Sequence, residues 1–388
     1  MTVDVTASGS TLRSLECRAC CTEVDPEALH GTCPTCGHTL LARYALDRLE
    51  GSDWWTTVRA REPTLWRYRE VLPVRDLGSI VTLGEHEGPV LRLSPEGGGP
   101  APELWAKDDG GLPTGSFKAR GMTVAVSRAR ELGVRRAFAP SAGNAGLALA
   151  AYGARARLPV TVYLPEHADP RSVEGVRRYG AEVVTVGATI REAGEEARRR
   201  EAGRGFDLST LREPYRVEGK KTMAYEILER FGAEGMPDAI VYPTGGGTGL
   251  VGMFKGFDEL RTLGLLERIP RLIAVQAEGC APVVSALRDG APRVTPCTAP
   301  TTVAPGLAVP APFASERILE AVRGSGGTGV TVSDPEILAA QEALARHHGL
   351  AVSLEAAAPW AAVSRLEQAG AIRSGERVLL YLTGRAPG

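Results

Sequence analysis

The chain has 388 residues, 43% of them hydrophobic, which is enough to bury a sizeable core across two or three domains. Its formal net charge of −1 provides no global basic field to draw it to nucleic acid or an acidic lipid surface. Two long stretches lack charge, "AFAPSAGNAGLALAAYGA" (137–154) and "VTPCTAPTTVAPGLAVPAPFAS" (294–315), but their Pro, Asn and Gly content excludes a spanning helix. With no apolar core in "MTVDVTASGSTLRSLE" to act as a secretory signal, a cytoplasmic protein is expected.

In chain order, chemistry starts with the cysteines. Five of the seven lie before residue 37, and Cys17, Cys20, Cys33 and Cys36 form two C-x-x-C pairs twelve residues apart. Each pair can bend as a knuckle, and two knuckles complete a closed tetrahedral zinc–thiolate site, a structural arrangement rather than a catalytic one. Disulfides or free thiols are the alternative, and the absence of a secretion signal argues against disulfides. Gly37 follows the second knuckle, where a left-handed turn is needed; Cys21 takes that place after the first. Cys21, Cys280 and Cys297 have no partner by spacing.

Residues 44–80 read as a helix-and-loop linker. Apolar strands then alternate with helices. "LWAKD" (104–108) is a strand and "SFKARGMTVAVSRARELG" (116–133) a helix. "RAFAPS", "VTVYLP" and "EVVTV" are strands, each followed by a helix: "NAGLALAAYGARA", "PRSVEGVRRYG" and "TIREAGEEARRREAG". A helix "KKTMAYEI" opens at Lys220 and Lys221. "AIVYPTGGGTG" (239–249) is strand then loop, and a helix follows to about 262. "RLIAVQAEG" is a strand, "DPEILAAQEALARHHG" and "EAAAPWAAVSRLEQAG" are helices, and "RVLLYLTG" is a last strand. This alternation predicts an α/β protein built on mostly parallel sheets.

Ligands of such sheets lie in the loops beyond the carboxyl ends of the strands. Three loops stand out there. "TGGGTG" (244–249) joins a strand to a helix, so converging backbone N–H groups and a helix N-terminus form a phosphate cradle. It lacks the GK[ST] of a Walker loop; "GTGLVG" (247–252), with Glu278 closing the next strand, also fits a dinucleotide fingerprint. "SAGNAG" (141–146) offers Ser141 and backbone N–H groups to a carboxylate and the Asn144 amide to an oxygen, or simply caps its helix. "LPTGSFK" places Lys118 at a helix start among apolar and hydroxyl residues. Partial burial and the helix's positive end both disfavour an ammonium there, so Lys118 suits nucleophilic attack on a carbonyl. A Schiff-base lysine, a phosphate cradle and a carboxylate loop together point to pyridoxal phosphate.

The ordered motifs extend this reading. "LGEHEGPVLRL" (83–93), "LWAKDDGGLPTGSFKARG" (104–121), "SAGNAGLALAAY" (141–152), "EGKKTMAYEI" (218–227), "PTGGGTGLVGMFKGF" (243–257), "GLAVP" (306–310) and "LTG" (382–384), behind the cysteine knuckles, run through nearly the whole chain. The chain resembles the fold-type II pyridoxal-phosphate enzymes (the tryptophan synthase β-like group) and, among them, the threonine synthase family.

The resemblance implies two doubly wound α/β domains behind a zinc-ribbon-like segment: residues 1–45 for the ribbon, 46–110 with 218–388 for the large cofactor domain, and 111–217 for the small domain. It implies that Lys118 carries the cofactor and moves protons, with Phe117 near the ring and Asn144 on its 3′-oxygen. Gly245, Gly246, Gly247 and Thr248 would hold its phosphate, and Thr383 would face the ring nitrogen. Ser141, Ala142 and Gly143 would hold the substrate carboxylate, with Lys107, Arg120, Lys220 and Lys221 as cations for a substrate phosphate.

The implied reaction is conversion of O-phosphohomoserine and water to threonine and phosphate by a homodimer acting on a small amino-acid substrate. "SFKARG" stands where the family has "SFKDRG", "GEHEGPV" where it has "GEGxTPL", and "LEAA" (354–357) where it has "PEGA". These departures keep two alternatives open: β-replacement on O-phosphoserine, as in cysteate synthase, or dehydration of serine or threonine. A more distant one is a catalytically silent metabolite sensor.

Overall fold

The computed structural model describes residues 9–94, 101–141 and 143–386. The chain divides into two compact units: Met1–His86 with Lys118–Lys220, and Glu87–Phe117 with Lys221–Gly388. Residues 46–86, which the sequence-based division keeps with the larger domain, group here with the smaller one.

In the first unit, the strand Leu12–Glu16 pairs antiparallel with both Glu23–Val24 and Leu41–Tyr44 to give a small sheet around the cysteines. A four-stranded parallel sheet follows, in the order Glu182–Thr185, Val160–Leu164, Ala137–Pro140, Phe206–Asp207. Its helices are Lys118–Glu131, Asn144–Ala156, Pro170–Arg178 and Ile190–Glu201. Every residue of Val160–Leu164 is buried, as expected for a strand covered on both faces.

The second unit is built on six strands in the order Gly329–Val332, Arg271–Ala277, Ala239–Pro243, Arg377–Leu382, Glu103–Asp108, Val90–Arg92. All neighbours are parallel except the last pair. Val241, Ile273, Val275, Val378 and Leu380 form the centre of its core together with Ala356–Ala358 of the helix Leu354–Ala361.

Three expected elements differ. The "SFKARG" helix begins at Lys118, because Ser116 bridges Gly384 and the Phe117 N–H donates to the Thr383 carbonyl, which holds both residues extended. "EAAAPWAAVSRLEQAG" is two helices, Leu354–Ala361 and Val363–Gln368, the first containing Pro359, which has no N–H to return to Glu355. The helix holding "KKTMAYEI" spans Arg216–Phe231, so Lys220 and Lys221 lie within it and do not open it.

Glu213 explains the early start of that helix. Its carboxylate accepts from the N–H groups of Tyr215 (2.7 Å) and Arg216 (3.0 Å), satisfying donors at the helix start. Burial pushes the Glu213 carboxyl up to about 7, against the opposing pull of Arg216 and the two N–H groups. A raised folded-state value makes the stability contribution complete below the unfolded value near 4.5 and lost as pH rises through about 7. Glu213→Gln keeps an acceptor oxygen but cannot ionise. Between pH 5 and 8.5 the wild type is expected to lose up to about 3 kcal/mol relative to this variant. Parallel pH profiles of unfolding free energy in urea would refute the assignment.

Candidate active site

The strand Glu103–Asp108 leads into a loop with two consecutive left-handed residues, Thr114 (φ 61°) and Gly115 (φ 74°). This turn aims Ser116 and Phe117 back along the last strand. The Phe117 N–H donates to Thr383 at 2.9 Å. The Phe117 ring meets Tyr242 edge-on, with centroids 6.1 Å apart and planes at 82°. Lys118 then opens the helix Lys118–Glu131, half-buried.

The glycine loop follows Ala239–Pro243 and is fixed from behind. The Thr244 N–H donates to the Val275 carbonyl (2.8 Å), and Gln276 Nε2 donates to the Thr244 carbonyl (3.1 Å). A Cβ at Gly245 would lie 2.1 Å from the Gly306 carbonyl oxygen, so only glycine fits there. Gly247 (φ 70°) turns the backbone left-handed into the helix Thr248–Thr262, which has no side-chain cap. Its first N–H groups are therefore available to an anion, as a phosphate site requires. Thr383 follows the strand Arg377–Leu382 and is buried; its hydroxyl has no protein hydrogen bond among the described residues. An uncapped helix start, a glycine packed too closely for any side chain and an unengaged hydroxyl fit the phosphate and ring nitrogen of pyridoxal phosphate.

The first unit holds the asparagine loop. Asn144 is exposed at the start of its helix, with no side-chain partner among the described residues. Ser141 Oγ accepts from the Gly146 N–H at 2.8 Å, so this hydroxyl does stabilise the helix start. Gly143 is exposed, and Ala142 lies outside the described residues.

All four basic residues are buried. Lys107 is fully buried, its Nζ 2.7 Å from Glu226 and 3.8 Å from Asp109, and it donates to the Gly88 carbonyl at 3.1 Å. Lys221 is also fully buried, 2.9 Å from Glu259, which pairs with Lys255 (2.5 Å) and accepts from the Tyr225 hydroxyl (2.7 Å). Burial opposes ionisation of Glu259, but the two lysines outweigh it and hold its carboxyl below the usual range. Lys107 and Lys221 thus sit in internal ion pairs. Arg120 and Lys220 are buried in the first unit. There the Tyr152 phenol is pushed up by burial and by the Glu85 carboxylate it bonds, with the Arg120 charge acting the other way. Of the pairing carboxylates, Glu259 is visible in sequence as an i,i+4 partner of Lys255. No local spacing announces Glu226, which lies over a hundred residues from Lys107.

The four paired cysteines converge as spaced. Their sulfur atoms all lie within 4.8 Å of one another, with Cys17–Cys36 at 3.4 Å and Cys20–Cys33 at 3.6 Å. Tetrahedral zinc with bonds of about 2.3 Å needs sulfurs roughly 3.8 Å apart, so the donor set fits. Both knuckle exits turn left-handed, Gly37 at φ 75° and Cys21 at φ 57°, the turn that each knuckle requires.

The chain is similar to known proteins over most of its length. The family described as pyridoxal-phosphate dependent enzyme matches residues 81–384. A threonine synthase of Methanosarcina acetivorans is 35% identical over 95% of this chain and 91% of its own length. One from Methanocaldococcus jannaschii is 34% identical with the same coverage. Among solved structures, a T.th. threonine deaminase superposes with a TM-score of 0.62 and 26% identity, over 74% of this chain and 88% of its own. A maize serine racemase gives 0.66 at 19% identity, over 78% and 89%, a likeness of fold.

Proposed function

Because the chain belongs to the pyridoxal-phosphate dependent enzyme family, we propose that it is a threonine synthase, converting O-phospho-L-homoserine and water to L-threonine and phosphate. The observation that carries this reading is similarity to two threonine synthases over 95% of the chain, where the deaminase and racemase likenesses span 74–78%.

When bound, pyridoxal phosphate supplies the electron sink that stabilises negative charge at Cα of the attached amino acid. The chain's own residues do the rest. Gly245, Gly246, Gly247 and Thr248 hold the cofactor phosphate, and Phe117 packs beside its ring. Thr383 offers the ring nitrogen a hydroxyl and no carboxylate, which favours elimination and replacement over transamination. Asn144 holds the 3′-oxygen, while Ser141, Ala142 and Gly143 bind the substrate carboxylate. Lys118 would take the proton from Cα, give it up, and then take one from Cβ. The phosphate would depart from Cγ, which gains a proton; the water oxygen would bond to Cβ, its displaced proton leaving with the phosphate, and Cα would be reprotonated. Arg120 and Lys220, buried in the first unit, supply cationic charge for the departing phosphate. The cysteines hold a structural zinc, and the enzyme works as a cytoplasmic homodimer without nucleic-acid partners. Among the described residues, no helix is long and apolar enough to cross a membrane.

The departures from the family's motifs give a second reading, replacement on O-phosphoserine or dehydration of a free hydroxy amino acid. A Cβ at Gly88 would lie 2.2 Å from the Asp108 carbonyl oxygen, so the departure from the family's "GEGxTPL" is built into the backbone. Phosphate release from O-phosphohomoserine and O-phosphoserine, with and without sulfite, is measured beside ammonia release from serine and threonine. Threonine synthase activity predicts kcat/KM for O-phosphohomoserine at least about 100-fold above the others, some 3 kcal/mol of transition-state discrimination. Faster ammonia release from serine or threonine would replace this reading with dehydration, and bound cofactor with no turnover of any substrate would replace it with a sensor.

A further inference from the structure

Two motifs remain without a role, "GLAVP" (306–310) and "LEAA" (354–357), and the fold brings them together. The segment 302–309 is a strap tied at several points. Thr302 Oγ1 donates to Asp334 (2.7 Å), the Val303 N–H donates to the same carboxylate (3.0 Å), and Ala304 and Leu307 are buried in the core. At its middle, the Gly306 N–H donates to Glu355 Oε1 at 2.8 Å. The other face of the same residue meets the glycine loop, where a Cβ on Gly245 would lie 2.1 Å from the Gly306 carbonyl oxygen. A Cβ on Gly306 itself would lie 2.8 Å from Glu355 Cγ and Oε1. Glu355, the Gly306 peptide and Gly245 are therefore stacked without space for a methyl group at either contact.

We infer that Glu355 is a positioning residue: by fixing the Gly306 peptide against Gly245, it sets the shape of the glycine loop and so the retention of the cofactor phosphate. This rests on the assignment of that loop to pyridoxal phosphate. The geometry explains why an acceptor is needed at position 355, and a carboxylate makes the stronger bond. A charge-assisted bond to a backbone N–H is about twice as strong as a neutral one. The carbonyl of the same residue is the wall that the loop rests on, so loss of the bond frees the wall. The simpler role for Glu355 is as an acidic residue in the first turn of Leu354–Ala361, favourable to the helix dipole. That role predicts an effect on stability but none specific to a phosphate.

The test uses apoprotein of the full chain, reconstituted with pyridoxal phosphate or with pyridoxal, which lacks the phosphate, with affinity read from cofactor absorbance. Glu355→Ala is expected to weaken pyridoxal phosphate at least about tenfold and pyridoxal less than threefold, whereas Glu355→Gln, which keeps an acceptor, stays within about threefold for both. Gly306→Ala should weaken pyridoxal phosphate through its clash with Glu355. In Gly306→Ala/Glu355→Ala that clash is gone, so the double variant should lose less than the product of the single losses. Glu355→Asp, one methylene too short, should follow Glu355→Ala and serves if the alanine variant does not fold. Equal affinity of wild type and Glu355→Ala for pyridoxal phosphate, equal losses for the two cofactors, or multiplicative single effects would overturn the inference. Wild-type apoprotein that takes up no pyridoxal phosphate would instead overturn the cofactor assignment of the loop.

Discussion

Lys118→Ala is expected to abolish covalent cofactor attachment and at least about a thousandfold of turnover. In the proposed mechanism one amine is both the anchor and the proton carrier, so no other group in the loop replaces it. The geometry restricts the alternatives. Lys107 and Lys221 are fully buried in ion pairs with Glu226 and Glu259, so neither amine can reach a ligand without breaking its pair. Lys118 is half-buried at the first position of its helix, next to Phe117, whose backbone is fixed to Thr383. The check is borohydride reduction of the holoenzyme followed by peptide mapping. A pyridoxyl tag on Lys118, absent from Lys118→Ala, is the expected result. The variant should still bind cofactor reversibly, because the glycine loop between Ala239–Pro243 and Thr248–Thr262 is unchanged. A tag on any other lysine would move the catalytic assignment there.

Local signals made most of this arrangement legible. Ala239–Pro243 is an unbroken apolar run, buried at all five residues, and the loop after it has Gly245, where an added Cβ would lie 2.1 Å from the Gly306 carbonyl oxygen. A pattern of that kind reads directly from composition and period. Long-range pairing did not. Nothing near Lys107 or Lys221 in sequence distinguishes a buried ion pair from an anion site, because Glu226 and Glu259 reach them only through folding. The start of Arg216–Phe231 was missed for a related reason: its first donors are satisfied by Glu213, outside the apolar period. The short helices Pro282–Arg288 and Ser315–Gly324 and the strand Gly329–Val332 flank the proline-rich loop, where few periodic positions accumulate before each element ends. The placement of residues 46–86 turns on burial as well. Trp54 and Arg61 both bond Glu70, and Trp66 bonds Thr123 of the helix Lys118–Glu131, contacts that composition cannot announce.

The cysteine cluster predicts an equally large effect on a different quantity. Reduced, freshly purified protein is expected to contain one zinc per chain, and Cys33→Ser or strong chelation should remove it. Isolated zinc modules gain roughly 10 kcal/mol or more from the metal near neutral pH. Here part of that is shared with protein contacts, since the segment is also tied to the first unit. Arg128 donates to the Pro26 carbonyl at 2.6 Å and pairs with Glu27 at 3.2 Å, and Thr39 donates to the Leu211 carbonyl at 2.8 Å. The same ties spread the damage. Arg128 belongs to the helix Lys118–Glu131, so an unfolded ribbon strips partners from the helix that begins at Lys118. Metal loss should therefore lower the unfolding free energy by several kcal/mol. Turnover per bound cofactor in the surviving folded fraction should stay within about threefold, because four thiolates leave the metal no open position for substrate. Metal analysis that finds no zinc would reject the site. Zinc removal that abolishes turnover while fold and cofactor content hold constant would reject its structural role, since a closed site acts on chemistry only through the elements it holds in place.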